Sequence, residues 1–236
     1  MTTARTVALD VLLEIRKKEA FVQELLDDAF KKSDLAPPDR RLATQLVLGV
    51  VRRRASLDLL IRRVVTRESH KVEAWIWEAL RLGTLQLAYL DRIPAYSAIH
   101  ETVDLAIHRN AVRAKGFVNA NLRAIDRLLT PDFVTDPGPA ALPIETGRYR
   151  RLTEPVLPDP GTHPVDYLSV GLSLPEWLVT RWQRRWGTDE TRRLGFWFLQ
   201  PAPLWLRVNP LRTTREAFIG WLREAGLEPI VGEHPQ

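Results

Sequence analysis

The chain has 236 residues, no cysteine, eight tryptophans and a formal net charge of +5. That length allows one large domain or two small ones with buried cores, and the missing thiols exclude a disulfide framework, a thiolate metal site and a cysteine nucleophile. Residues 1–130 carry 22 Lys and Arg against 16 Asp and Glu, and the rest carry 12 against 13, so the basic surplus lies in the first half, as a phosphate-binding surface or an arginine-rich composition would place it.

Met1 to Lys18 alternates apolar and charged residues, and no signal peptide is expected there. Val7, Val11, Leu12 and Ile15 share one helical face, and Phe21 to Lys32 repeats the pattern with Phe21, Val22, Leu25, Leu26 and Ala29. Pro37 and Pro38 break the chain, and Asp39 offers an N-cap to a helix whose core face is Leu42, Leu46, Val47 and Val50. Arg52, Arg53 and Arg54 close that helix, where cations complement its dipole. Leu57 to Val65, Val72 to Tyr89, Tyr96 to Arg109 and Lys115 to Leu129 follow with the same periodicity. Residues 1–130 are therefore expected to form an all-α bundle with short connections. The longest apolar run, Leu46 to Val51, is too short to span a bilayer, and a soluble, cytoplasmic protein is expected.

Residues 131–165 lose the helical period and are rich in proline, which predicts an extended linker. Arg148, Arg150 and Arg151 within it suit a solvated basic loop, or RNA contact. In residues 166–236, Ser173 can cap a helix running from Pro175 through Trp177, Leu178, Trp182 and Trp186 to Gly187, with a second helix from Thr188. Pro203 to Asn209 alternates as a half-buried strand. Thr213 to Glu216 is a capping box opening a helix with Ala217, Phe218, Trp221, Leu222 and Ala225 inward, and Leu227 to Val231 would begin a second strand. This β-α-β start is incomplete in what remains of the chain.

Two stretches stand out. Leu87 to Tyr96 ends an apolar helix in an Asp-Arg-Ile-Pro turn, and Lys115 to Arg123 sets Asn119 and Asn121 among Phe117, Val118 and Leu122. Buried asparagines need partners, so these two either satisfy buried backbone, such as the turn at Asp91 to Pro94, or face a polar partner. His100, Asp104 and His108 recur every four residues, a spacing able to hold a metal but ordinary on a solvated face. No other set of residues suggests a nucleophile and base, so catalytic, cofactor and metal sites are not expected in this chain.

The strings R-L-G-x-x-Q-L-x-Y-L-D-R-I-P-A-Y-x-A-I (Arg81 to Ile99), E-x-V-x-L-A (Glu101 to Ala106) and K-G-F-V-N-A-x-L-R (Lys115 to Arg123), with Asp39 to Arg53, resemble the NusB family of RNA-binding helical domains. More closely they resemble its copy at the front of RsmB-type ribosomal RNA cytosine-C5 methyltransferases, with His100 a departure. Residues 174–226 resemble the small RRM-like subdomain that precedes the catalytic domain of those enzymes. The resemblance implies a mainly α protein: a NusB-like bundle followed by a small, incomplete α+β segment. It implies RNA, ribosomal RNA in particular, as partner, and S-adenosylmethionine as cofactor of the full-length family member, whose cofactor loop and catalytic cysteines are not in this sequence. Alone, the chain is expected to be inactive. RNA contacts would fall on Arg5, Lys17, Lys18, Arg109, Arg113, Lys115, Asn119, Arg123 and Arg127. A free-standing NusB-like antitermination factor and a non-catalytic scaffold module are the alternatives.

Overall fold

The computed structural model describes residues 2–17, 20–66, 69–200, 202 and 204–232. These fall into two compact units, Met1–Gln200 and Pro201–Gln236.

The first unit opens with α1 (Ala4–Ile15), started by a capping box in which Thr3 and Thr6 bond each other's backbone N–H groups at 3.2 and 2.8 Å. Next come α2 (Val22–Lys31), α3 (Pro37–Arg52) and α4 (Arg54–Val64). Asp39 is not the cap of α3: Ala36 holds that place with Pro37 at the first helical position, and Asp39 lies in the first turn, where a carboxylate still suits the dipole. The bundle continues with α5 (Ala74–Tyr89), α6 (Ala95–Val103), α7 (Leu105–His108) and α8 (Lys115–Leu128).

Helix α5 is the axis of the bundle. Every residue from Ile76 to Ala88 is buried, as expected of a helix covered on all sides, and α1, α3, α4, α6 and α8 pack around it. Gly83 sets how near α8 can come: a Cβ there would lie 2.5 Å from Leu122 Cδ2. The charged residues of α5 are paired. Arg81 donates to both carboxylate oxygens of Asp58 at 2.7 and 2.6 Å and to Glu78 Oε1 at 2.6 Å, and Trp77 Nε1 donates to Asp58 at 2.9 Å. Burial pulls the Arg81 pKa down, but the bonds and charges of Asp58 and Glu78 together raise it above the usual value, so the guanidinium stays charged inside the fold.

Residues 131–165 are not a linker. β1 (Leu129–Val134), β2 (Ala141–Glu145) and β3 (Arg148–Leu152) form an antiparallel sheet in the order β1-β3-β2. Pro131 and Pro143 lie in the two edge strands and the central β3 has no proline, which reconciles a proline-rich stretch with a sheet. The sheet, α9 (Pro164–Gly171) and α10 (Glu176–Leu199) bury Leu142, Tyr149, Tyr167 and Phe196 against Leu60 of α4 and Ala88 of α5. The first compact unit therefore runs past residue 130, through this layer.

Polar bonds tie the layer to the bundle. Arg53 donates to Pro143 O at 2.7 Å and Ile144 O at 2.6 Å. Ser173 Oγ accepts from the backbone of Ala55 and Ser56 at 3.1 and 3.2 Å. Ser173, expected to cap α10, thus caps α4, and Pro175 precedes α10 instead. Helix α10 breaks at Gly187, whose φ of 80° lies in the left-handed region that favours glycine, so the two expected helices meet in a kink.

In the second unit Thr214 Oγ1 accepts from Ala217 N at 3.2 Å and opens α11 (Arg215–Glu224), at the expected capping sequence. The strands expected at 203–209 and 227–231 are not formed among the described residues, and Trp221, expected inward, is exposed. A strand needs paired backbone, and no ladder of hydrogen bonds joins these stretches among the described residues. Among the described residues the strands lie within 129–152.

Candidate nucleic-acid interface

Helix α8 turns Val118, Leu122, Ile125 and Leu128 into the core. The opposite side presents Gly116, Ala120, Arg123 and Arg127 to solvent, and the short 3-10 turn before it (Val112–Ala114) presents Arg113. Among the described residues neither Arg113 nor Arg127 has a carboxylate partner, and Arg123 Nε donates to Asn119 Oδ1 at 3.2 Å. Gly116 and Ala120 keep the centre of this face low, so a phosphate backbone can reach the arginines without meeting a bulky side chain. The arrangement is fit to bind a polyanion and holds no group poised for bond-making chemistry.

The other expected contacts are less available. Arg5 sits against α5 and α6, with Nε donating to Gln86 Oε1 at 2.8 Å and NH1 lying 3.7 Å from Glu101. Burial lowers its pKa, against the raising influence of Glu101. Arg109 is bonded to Asp10, Lys115 lies 3.2 Å from Asp104, and Lys17 lies 3.1 Å from Glu14. Lys18 lies outside the described residues. Asn121 does satisfy backbone, but that of its own helix, donating to Phe117 O at 2.8 Å. The Asp91 turn is held from the sheet: Arg150 bonds Asp91 and donates to Leu87 O at 2.9 Å, and Arg148 lies 3.6 Å from Asp91. Arg148 and Arg150 are therefore clamps, not a free loop surface.

The His100, Asp104, His108 stripe is divided. The helix breaks after Val103, His100 lies 3.6 Å from Asp104, and His108 turns to Asp10 at 3.7 Å. Among the described residues no group of three or more His, Asp or Glu side chains converges as a metal site would require. Sequence reasoning missed the Asp58, Glu78 and Arg81 network, whose only signal was charge inside an otherwise apolar helix.

A bundle wrapped around one buried helix, with a small sheet layer packed on its side, defines the class of protein. The chain belongs to the NusB family, whose pattern matches residues 2–127, and residues 174–235 match the ferredoxin-like domain of the RsmF/B-like methyltransferases. It is 33% identical over 231 residues to the probable ribosomal RNA small subunit methyltransferase B of Synechocystis, covering 96% of this chain and 45% of that protein. To the probable enzyme of the same name in Bacillus subtilis it is 29% identical, covering 98% of this chain and 46% of that protein. The chain thus spans about half the length of these curated relatives. The crystal structure of PH0851 matches with a TM-score of 0.59 at 19% identity, over 99% of this chain and 47% of the other, a likeness of fold. No helix among the described residues is long and apolar enough to cross a membrane.

Proposed function

We propose that this chain is the RNA-recognition part of a small-subunit ribosomal RNA cytosine-C5 methyltransferase, acting in the cytoplasm. The observation that carries this reading is the joint match of bundle and tail, along 96% of the chain, to a relative named as a probable ribosomal RNA small subunit methyltransferase. The match of residues 174–235 to a methyltransferase-associated domain favours it over a free-standing antitermination factor. Addition of a thiolate to carbon 6 is what activates carbon 5 of cytosine, and this chain has no cysteine. Its part is to bind and orient ribosomal RNA, while the nucleophile and the S-adenosylmethionine site belong to the rest of the family protein.

The first contacts are Arg123 and Arg127 with Asn119 on α8, and Arg113 on the turn before it. Lys17, Arg109 and Lys115 join once phosphate competes with their carboxylates, and Arg5 serves mainly to hold α1 against α5. Lys18 is proposed on its sequence position alone.

The test is binding of the full chain to small-subunit ribosomal RNA, followed by fluorescence anisotropy over a range of salt. Affinity should fall steeply with salt, and R123E/R127E should weaken it about tenfold and flatten the salt slope by about one for each arginine. Salt-independent binding, or equal affinity in the double variant, would refute the assignment of this face.

A further inference from the structure

We infer that α10 carries a platform for single-stranded RNA, separate from the α8 face. Between Trp177 and Trp186 there are three arginines, three tryptophans and no acidic residue. Trp177 is 66% exposed and Trp186 is 46% exposed, which is unusual for side chains with so much apolar area. Arg181 and Arg184 are exposed and have no carboxylate partner among the described residues, and Arg185 lies over the Trp186 ring at 5.2 Å.

The kink at Gly187 gathers further rings onto this surface. In a straight helix residues 182 and 198 would be about 24 Å apart along the axis. Here the chain turns back at Gly187, and Phe198 stacks on Trp182 with centroids 5.5 Å apart and planes at 22°. Trp197, itself exposed, meets Phe198 edge-on at 5.1 Å. Trp182, Trp186, Trp197 and Phe198, from both halves of α10, thus form one patch with Arg185 over it, and Trp177, Arg181 and Arg184 continue the surface around the helix.

The chemistry of the patch selects its occupant. An apolar protein surface would cover the indoles but strip water from the unpaired guanidinium groups. Single-stranded RNA satisfies both features, because its bases stack on aromatic faces and its phosphates pair with arginine. Duplex RNA keeps its bases stacked on one another and offers the indoles nothing. The inference rests on the proposed RNA-binding function, and extends it to a second surface and to unpaired nucleotides.

The experiment titrates the full chain with a short oligouridylate and, separately, with an RNA duplex, following tryptophan fluorescence and anisotropy. Oligouridylate should quench the fluorescence and bind more tightly than the duplex. W177A/W186A should weaken oligouridylate binding about tenfold and leave duplex binding unchanged. R181E/R184E, at exposed positions, should weaken it too and flatten its salt dependence, with circular dichroism checking that each variant is folded. Wild-type affinity for oligouridylate in both variants overturns the platform, as does a preference for duplex. So does a dimer that sedimentation shows W177A/W186A to dissociate while RNA binding is unchanged, since the patch would then join two copies of the chain. If R123E/R127E weakens ribosomal RNA binding while the α10 variants change nothing, the proposed function stands and the platform falls; if no RNA binds the wild type, both fall.

Discussion

Tyr167 is buried beside the sheet, and its hydroxyl donates to Ala141 O at 3.1 Å. Burial pushes its pKa well above the ordinary tyrosine value of 10.0, and burial also raises that of Tyr149. Below that value both tyrosines are neutral in the folded and unfolded states, and their contribution to stability is fully present. Above it the unfolded chain releases protons that the folded chain keeps, so stability falls as pH rises, by about 1.4 kcal/mol per pH unit for each such group. Tyr167→Phe is expected to cost about 1 kcal/mol at neutral pH for the lost hydrogen bond and to remove one tyrosine's share of the alkaline decline. Urea unfolding at neutral pH and just above the ordinary tyrosine pKa checks both, and an unchanged alkaline slope would mean that Tyr167 ionises freely in the fold. The role of such residues was poorly legible in the sequence. Arg5 and Arg109 look like surface cations there, and only the fold brings Gln86 and Glu101 to the first and Asp10 to the second. The exposure of Arg127, though not its role, was legible because it falls opposite the apolar stripe of α8.

Helices α5 and α8 touch at the glycine of the Arg81-Leu82-Gly83 string. The contact decides why that string is so recognisable: Arg81 anchors Asp58 and Glu78, Gly83 admits Leu122, and Gln86 holds Arg5 and the carbonyl of Leu82 at 2.9 Å. The residues that carry the family resemblance are largely scaffold, and the cations proposed to meet RNA lie beside them. Gly83→Ala would place a methyl group against Leu122 and force the helices apart. It is expected to destabilise the bundle by about 1–3 kcal/mol, although alanine favours a helix over glycine. Chemical denaturation measures this, and a variant as stable as the parent would show that α8 shifts at no cost. The longer helices of the bundle were legible because each keeps its apolar stripe over two turns or more, whereas the break between α6 and the four-residue α7, and the helix α9, were not. The sheet was not, because its strands are five or six residues long and two of them contain proline. The kink at Gly187 was legible as a helix end, but the return of Phe198 onto Trp182 was not, since no local pattern encodes a contact made across a turn.

The sheet layer changes where the chain divides. A linker at 131–165 would make residues 1–130 a self-sufficient domain, and proteolysis would then cut within the linker. Instead, Leu60 and Ala88 of the bundle are buried in the same cluster as Leu142, Tyr149 and Phe196, and Arg53, Arg63 and Arg150 bond across the junction. Backbone held in a ladder and packed on a core resists proteases, which need several residues of extended, accessible chain. None of the described residues of the second unit is buried, and α11 has no buried face. Brief proteolysis of the full chain should therefore remove material after Gln200 first and leave a lasting fragment of residues 1–200, read by mass spectrometry. A chain ended at residue 130 would expose the apolar side of α4 and α5 that the sheet covers, and it should unfold at lower urea than the 1–200 fragment. Early accumulation of a fragment ending between 131 and 165, as stable as the longer one, would restore the linker and separate the sheet layer from the bundle.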